Sequence, residues 1–371
     1  MSKFHSPDYS FIITAGVVVL FGLIMLSSAG VALSYKQFND GYYFLKHQIT
    51  FGLIPGIFLF YVLSRIDYKI WKKIAFPILI FSILLLSLVF IPGIGTSHGT
   101  NAQSWINITG ISFQPSEFVK LTFLLYLASW LSKKDEKVRD FTFGLLPFLI
   151  LLGIIVFLVL PDAGTMLIIL SMSFIVYFIA GASIAHLLGI SGIGALLLYF
   201  LIRSKTYRMA RFMTFLHPEL DPQGIGYHIN QALLAIGSGG FWGKGFGHSR
   251  QKFLYLPEPV SDSIFAIIAE EMGFFLSIVL ILAFLYLFYK GIQIAKRAPD
   301  EFGKLLGIGI MSWIIIQAFV NISGMVGLLP MTGVPLPLIS YGGSSLMTSM
   351  AGLGIMVNIS KQTIQGGRNR N

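Results

Sequence analysis

The chain has 371 residues, of which 55% are hydrophobic and only 11% charged, with a net charge of +10 and a mean hydropathy of +0.78. Soluble domains carry about 25% charged residues, so this composition excludes a soluble multidomain enzyme and predicts one multi-span bundle in a membrane. The absence of cysteine excludes disulfides, thiolate metal sites and cysteine nucleophiles.

From the N-terminus, "MSKFHSPDYS" has neither the short apolar core nor the small-residue cleavage site of a signal peptide, and the apolar run over 12–29 is long enough to stay as a span. About twenty apolar residues are needed to cross about 30 Å of hydrocarbon. Ten such stretches follow one another: 10–33, 47–64, 71–92, 115–132, 142–160, 163–182, 184–202, 263–289, 304–326 and 338–358. They predict an all-α integral membrane protein. It is a single membrane domain over 1–371, a polytopic bundle of about ten transmembrane helices with a long extracytoplasmic loop, 203–260, between helices 7 and 8.

Lys and Arg in short loops set the orientation. "SRIDYKIWKK" (64–73), "KKDEKVRD" (133–140), "KGIQIAKR" (290–297) and the tail "GGRNRN" fall on one side when both termini share it. That side is therefore expected to be cytoplasmic. The 203–260 loop is also basic, with Arg203, Lys205, Arg208, Arg211, Lys244, Arg250 and Lys252 against Glu219, Asp221 and Glu258. Long loops escape the orientation rule, so this basicity needs its own reason: a surface resting on anionic membrane lipids, or a site for a polyanion at the outer surface. Inside the loop, "GSGGFWGKGFGHSRQK" (237–252) interleaves glycines with cations. Such a run can bring backbone N–H groups and charge to a phosphate, yet it is neither a P-loop nor a dinucleotide fingerprint.

Ionisable groups inside spans are costly, about 2.5–3.5 kcal/mol each, and they face the bundle interior. Glu117 and Lys120 in "QPSEFVK" stand three residues apart on one helical face and can pair. Asp162 in "LPDAGT" follows a proline at a tight turn and is expected to cap the next helix. Asp262 enters the membrane from the basic loop, ahead of an unbroken apolar run. Its position suits either the N-cap of that span or a general base whose basicity desolvation has raised. Glu270 and Glu271 point about 100° apart and cannot share one partner. At least one is expected to brace the bundle against a polar neighbour such as Lys120. The seven histidines show no HExxH or comparable spacing, which leaves no certain cofactor and a divalent cation open.

Four blocks, "SWINITGISFQPSEFVKL", "LPDAGT", "GSGGFWGKGFGHSRQKFLYLPEPVSDSIFAIIAEEMGF" and "GLLPMTGVPLPLISYGGSS", closely resemble, in the same order, the shape, elongation, division and sporulation proteins. "SRQKFLYLPEP" is more similar to the division members than to the elongation members. The chain departs from the family at "SDSIFA", where a threonine and a bulky residue are usual around the aspartate. It also departs at the leucine before "PDAGT", where a polar or acidic residue is usual, which weakens a catalytic role for that turn.

The resemblance implies a peptidoglycan glycosyltransferase, with lipid II (undecaprenyl-pyrophosphate-linked disaccharide pentapeptide) as substrate and undecaprenyl pyrophosphate as leaving group. It aligns Asp262 with an essential aspartate, expected to take a proton from the acceptor hydroxyl. Arg208, Arg211, Lys244, Arg250 and Lys252 become candidates for the pyrophosphate. Glu258 is a further substrate-binding candidate, and Trp105 is expected beside the cavity or as an interfacial anchor. A class B penicillin-binding protein transpeptidase is the implied partner, and nothing points to nucleic acid. Two other functions stay open: a flippase or transporter of the lipid-linked precursor, and a non-catalytic scaffold for the transpeptidase.

Overall fold

The computed structural model describes residues 5–96, 104–108, 111–203, 206–217 and 224–363. The chain opens with α1 (Tyr9–Ala29), α2 (Val31–Phe38), α3 (Tyr43–Gln48) and α4 (Ile54–Arg65), the last two fused by a π-helical turn at Ile49–Leu53. Then come α5 (Tyr68–Ser87), a three-stranded antiparallel sheet of β1 (Gly95–Thr96), β2 (Trp105–Ile108) and β3 (Ile111–Phe113), and α6 (Pro115–Leu131). The second half holds α7 (Leu146–Val159), α8 (Ala163–Ile179), α9 (Ile184–Arg203), α10 (Thr206–Leu216), α11 (Ile225–Gly239), α12 (Ile264–Lys296), α13 (Glu301–Met325) and α14 (Gly343–Ser360). Helix therefore occupies most of each of the ten apolar stretches. Among the described residues six helical runs are long and apolar enough to cross a membrane, those over Tyr43–Arg65 and Phe141–Val159 being reached only with the π-helical turns before α4 and α7. The 203–260 region carries helices of its own, α10 and α11.

Aspartates start many of the helices. The carboxylates of Asp8, Asp67, Asp140, Asp162 and Asp300 accept the orphan backbone N–H groups of the turns that follow them, which is what an N-cap supplies. Asp162 thus caps α8, as its place after a proline predicted, with Thr165 N at 3.0 Å.

Burial is inverted relative to a soluble protein. Large apolar side chains such as Ile13, Leu20, Phe58 and Phe157 are exposed, while Glu117, Lys120, Gln317, Glu270 and Glu271 are buried. Hydrocarbon rather than water is the solvent that makes this arrangement favourable. α13 lies at the centre, with Trp313 and Phe302 wholly enclosed.

The two ends of the bundle differ. At one end Asp8 meets Lys290 at 3.7 Å, Tyr68 donates to Asp300, and Asp8 N reaches Ser360. The first and last described segments meet there, since His5 N donates to Lys361 O. The opposite end gathers the β-sheet, the start of α8, the 240–263 segment and the 327–342 connection.

Candidate functional site

The four blocks singled out in the sequence converge at that second end. Gln114, just before α6, donates to the Asp162 carboxylate at 2.9 Å, and its backbone N–H reaches Ser344 Oγ at 3.2 Å. Ser116 also donates to Asp162. On α13, Asn321 Nδ2 donates both to the backbone oxygen of Asp262 (2.7 Å) and to that of Val334 (2.8 Å). Tyr341 N donates to Val260 O at 2.8 Å. Segments 13 to 230 residues apart are thus stitched together, most of the bonds using a backbone group on at least one side.

Asp262 is half-buried. Its carboxylate borders a shallow cleft lined with Asn321, Gly324, Met331, Thr332 and Gly333. Ser261 Oγ approaches Asp262 Oδ1 at 3.4 Å. The N-cap of α12 is Ser263, not Asp262. Asp262 stands one residue before that position, and the Ser263 side chain makes no cap hydrogen bond. Ser263 itself is buried, its hydroxyl 2.6 Å from His228 Nε2 on α11. Glu258 shapes the approach. Its backbone lies in the left-handed region at φ 48°, its carboxylate accepts from Ser261 Oγ at 2.8 Å, and its carbonyl accepts from the N–H groups of Ser261 and Ser263.

The deeper acids are paired differently from expectation. Lys120 is fully buried and donates to Glu117 Oε1 and to Gln317 Oε1, both at 2.8 Å, with the Trp313 ring 5.0 Å away. The expected Glu117–Lys120 pair therefore exists, and Lys120 braces neither Glu270 nor Glu271. Those two are held by the glycine-rich loop. Glu270 accepts from Lys244 Nζ at 2.6 Å, from Ser249 Oγ and from the N–H groups of Arg250 and Gln251. Glu271 accepts from Lys252 Nζ at 2.8 Å and from Ser28 of α1 at 2.7 Å. The two carboxylates diverge as their 100° separation requires.

This arrangement corrects the expectation for Lys252. Expected at the pyrophosphate, it is only 3% exposed. Its ammonium is spent on Glu271, Ser28 and the carbonyl of Gly247. Lys244 is also engaged, although 29% of its side chain remains accessible. Arg250 stays exposed. Arg208 and Arg211 fall on α10, but their side chains lie outside the described residues. Trp105 begins β2, half-buried and paired in register with Thr96.

The loop is joined to α12 through a break in that helix. Gly273 has φ 73° and ψ −177°, a combination essentially reserved for glycine. The backbone groups freed there are taken up by the loop: Lys244 N to Glu270 O, Gly245 N to Glu271 O, Phe274 N to Gly240 O and Phe275 N to Phe241 O, all between 2.9 and 3.1 Å. A Cβ on Gly243 would stand 2.2 Å from Glu271 O, so glycine is required on both sides of the crossing.

Several site residues escape a reading of composition and spacing. Asn321 was visible as a polar residue in an apolar run, but its two carbonyl partners were not. His228, Ser249 and Ser263 carry no sequence signal stronger than ordinary loop polarity. Among the described residues no cluster of three or more His, Asp or Glu gathers as a metal site.

An apolar exterior, buried ion pairs and a stitched polar end define a multi-pass membrane protein. The family model described as "cell cycle protein", covering FtsW, RodA and SpoVE, matches residues 8–365. The chain belongs to that family. It is 40% identical to a probable peptidoglycan glycosyltransferase FtsW of Trichlorobacter lovleyi, over 96% of this chain and 94% of that one. It is 39% identical to stage V sporulation protein E of Bacillus subtilis, over 97% of this chain and 98% of that one. Among solved structures it resembles a chain of a peptidoglycan synthase complex that coordinates polymerization and crosslinking. The TM-score is 0.79 at 28% identity, covering 95% of this chain and 97% of that one.

Proposed function

We propose that the protein is a peptidoglycan glycosyltransferase that polymerises lipid II at the outer face of the cytoplasmic membrane, in division or elongation. The observation that carries this reading is the placement of Asp262. It stands outside the helix N-cap, with its backbone pinned by Asn321, at the end of the bundle where the four blocks meet.

In this reading the Asp262 carboxylate accepts the proton of an acceptor-sugar hydroxyl. The hydroxyl oxygen bonds to the anomeric carbon of the donor as the bond from that carbon to the pyrophosphate oxygen breaks. A positioned base contributes about 10²–10⁴-fold. The electron pair leaves on undecaprenyl pyrophosphate, whose charge needs cations. Arg250 and the rim residue Lys244 serve that role, together with Arg208 and Arg211, while Lys252 braces the loop. Glu117 and Lys120 hold the spans together, and Asp162 caps α8 and anchors Gln114. The cleft at Asp262 is too shallow to enclose a ligand, so the substrate lies across an open surface, with its prenyl chain in the bilayer.

The basic loops lie at the end opposite Asp262, which supports cytoplasmic termini and an outer 203–260 segment. Single cysteines in this cysteine-free chain would report it. An impermeant thiol reagent should label position 248 and spare position 135 in intact cells, and the reverse pattern would invert the topology. The likeness to a synthase-complex chain supports a class B penicillin-binding protein transpeptidase as partner. The deciding assay supplies purified protein and that partner with lipid II and scores glycan chains. Polymer that disappears with Asp262→Asn supports the proposal. No polymer would favour the flippase or scaffold alternatives.

A further inference from the structure

Beyond the base and its cations, one exposed cluster has no part in the reaction as described. Phe241 and Trp242, in the glycine-rich loop, are 53% and 75% exposed, and Phe274 and Phe275, just past the break in α12, are 59% and 47% exposed. Their rings form one group. The Phe241–Trp242 centroids lie 4.9 Å apart, Trp242–Phe275 5.7 Å and Phe241–Phe274 6.1 Å. Four large aromatic side chains would not be left in water together without a cover.

Their depth identifies the cover. The part of α12 after the break, 274–296, is about 34 Å long at 1.5 Å per residue, enough to cross the hydrocarbon layer by itself. It runs antiparallel to α1, which Ser28–Glu271 ties at one end and Asp8–Lys290 at the other. Phe274 and Phe275 therefore stand at the boundary of the hydrocarbon, and Phe241 and Trp242 stand just outside it. Below them the same helix exposes Val279, Leu282 and Leu285, so the aromatic group continues the lipid-facing surface. Beside them the loop carries exposed Arg250 and Lys244, the latter paired with Glu270 but 29% accessible, and from 241 to 255 no acid of its own. An apolar ring cluster with a cationic rim complements the headgroup layer of anionic phospholipid, where Trp is favoured.

We propose that Phe241, Trp242, Phe274 and Phe275 form a wedge seated in the headgroup layer of the outer leaflet, and that this wedge sets the depth of Asp262. The second half rests on reading Asp262 as the catalytic base. Four backbone hydrogen bonds zip the wedge loop into the break of α12, and Lys244–Glu270 and Lys252–Glu271 lock it there. The short helical segment beyond the break leads directly to Asp262. Any change in the height of the wedge is passed to the carboxylate, whose substrate has its own reacting atoms fixed at the pyrophosphate level of the same leaflet.

The test compares the full-length parent with Trp242→Phe in vesicles of phosphatidylglycerol and phosphatidylcholine. The lipids are brominated either near the headgroup end or at mid-chain, and the difference in emission isolates Trp242. The expected result is strong quenching by the shallow bromines, weak quenching by the deep ones and little by aqueous iodide. Quenching by iodide alone would put the loop in water, and quenching by none would put it under a protein surface. Either result overturns the wedge.

A double variant, Phe241→Ser with Trp242→Ser, is then assayed for polymerisation across phosphatidylcholines of increasing chain length. The parent should show an optimum thickness. The variant should lose that optimum and run about tenfold slower there, with its thermal melt retained. A loss of equal size at every chain length would reduce the cluster to a local packing role. If the parent forms no polymer in any lipid, the glycosyltransferase reading and the depth-setting role fall together, while the quenching result still decides where the wedge sits.

Discussion

Asp262 and Glu271 lie nine residues apart, one just before and one in the last turn of the short helical segment that ends at Gly273, and the protein treats the two acids in opposite ways. Glu271 is buried and spent on Lys252, Ser28 and Ser249 N. Asp262 is held through its backbone, by Asn321, and presents its carboxylate to a cleft. A buried carboxylate with a matched ammonium contributes to a fixed geometry, whereas the reading of Asp262 as the proposed base rests on a backbone held by Asn321 and a carboxylate bordering a cleft. The contrast shows that an acid at the end of a span is assigned by what holds it, not by how deep it lies.

The sharpest test of this contrast is Asp262→Asn. Asn caps a helix about as well as Asp, so the substitution carries little capping loss, and the amide fills nearly the same volume. Glycan synthesis should fall by about 10²–10⁴-fold with the thermal melt unchanged. Asp262→Glu moves the carboxylate and should recover only part of the rate. A folded Asp262→Asn protein that polymerises at the parental rate would break the comparison outright.

Much of the bundle was legible because hydrocarbon dictates span length and because a charge in a span must find a partner. The Glu117–Lys120 pair and the Asp162 cap follow from helical spacing and from a turn after a proline. The break in α12 was not legible, since the apolar run continues on both sides of Gly273 and one glycine in such a run signals nothing by itself. Everything that depends on the break was hidden with it. Lys252 could not be matched to Glu271 until the loop was seen to fold back into the helix. α11 escaped for another reason. Fifteen residues containing glycines, a histidine and an asparagine fall short of a span and read as loop, although they pack against the start of α12.

On the paired side of the comparison, Lys252→Ala leaves Glu271 buried without its ammonium, which typically costs about 3–5 kcal/mol. Yield and melting temperature should fall together with activity. Arg250→Gln, in the same loop but exposed, should instead weaken use of the pyrophosphate-bearing donor while the melt stays put, because exposed charges contribute little to stability. If Lys252→Ala melts like the parent and fails only in catalysis, the lysine belongs with Asp262 and the division between the two acids is drawn in the wrong place.

A smaller loss is expected from Gly273→Ala. Its φ of 73° with ψ −177° costs a non-glycine residue about 1–3 kcal/mol. The new methyl would also stand 2.2 Å from Gly243 N, so the loop must shift. Lys244 and Lys252 ride on that loop, and both glutamates should loosen. Proteolysis within 240–252 should accelerate before the rest of the bundle opens. Unchanged protection there would mean that the zipped loop is not what fixes the acids.

The least effect belongs to the ion pair at the surface, Lys46–Asp40, which matches Lys252–Glu271 in length at 2.8 Å but not in burial. The Lys46 ammonium and the Tyr42 N–H hold the Asp40 carboxyl below its ordinary value. A depressed carboxylate stabilises the folded state above its unfolded pKa, and the contribution is lost as pH falls through the lower folded value. Asp40→Asn should therefore melt slightly below the parent, by a constant small margin, from neutral pH down to the ordinary carboxylate range. Below it the parent alone should lose its small advantage. Water and salt screen an exposed pair, so added salt should erase even that difference, while the Lys252→Ala loss should persist in salt because its partner lies beyond the reach of mobile ions. Equal salt sensitivity of the two losses would show that burial does not separate these pairs.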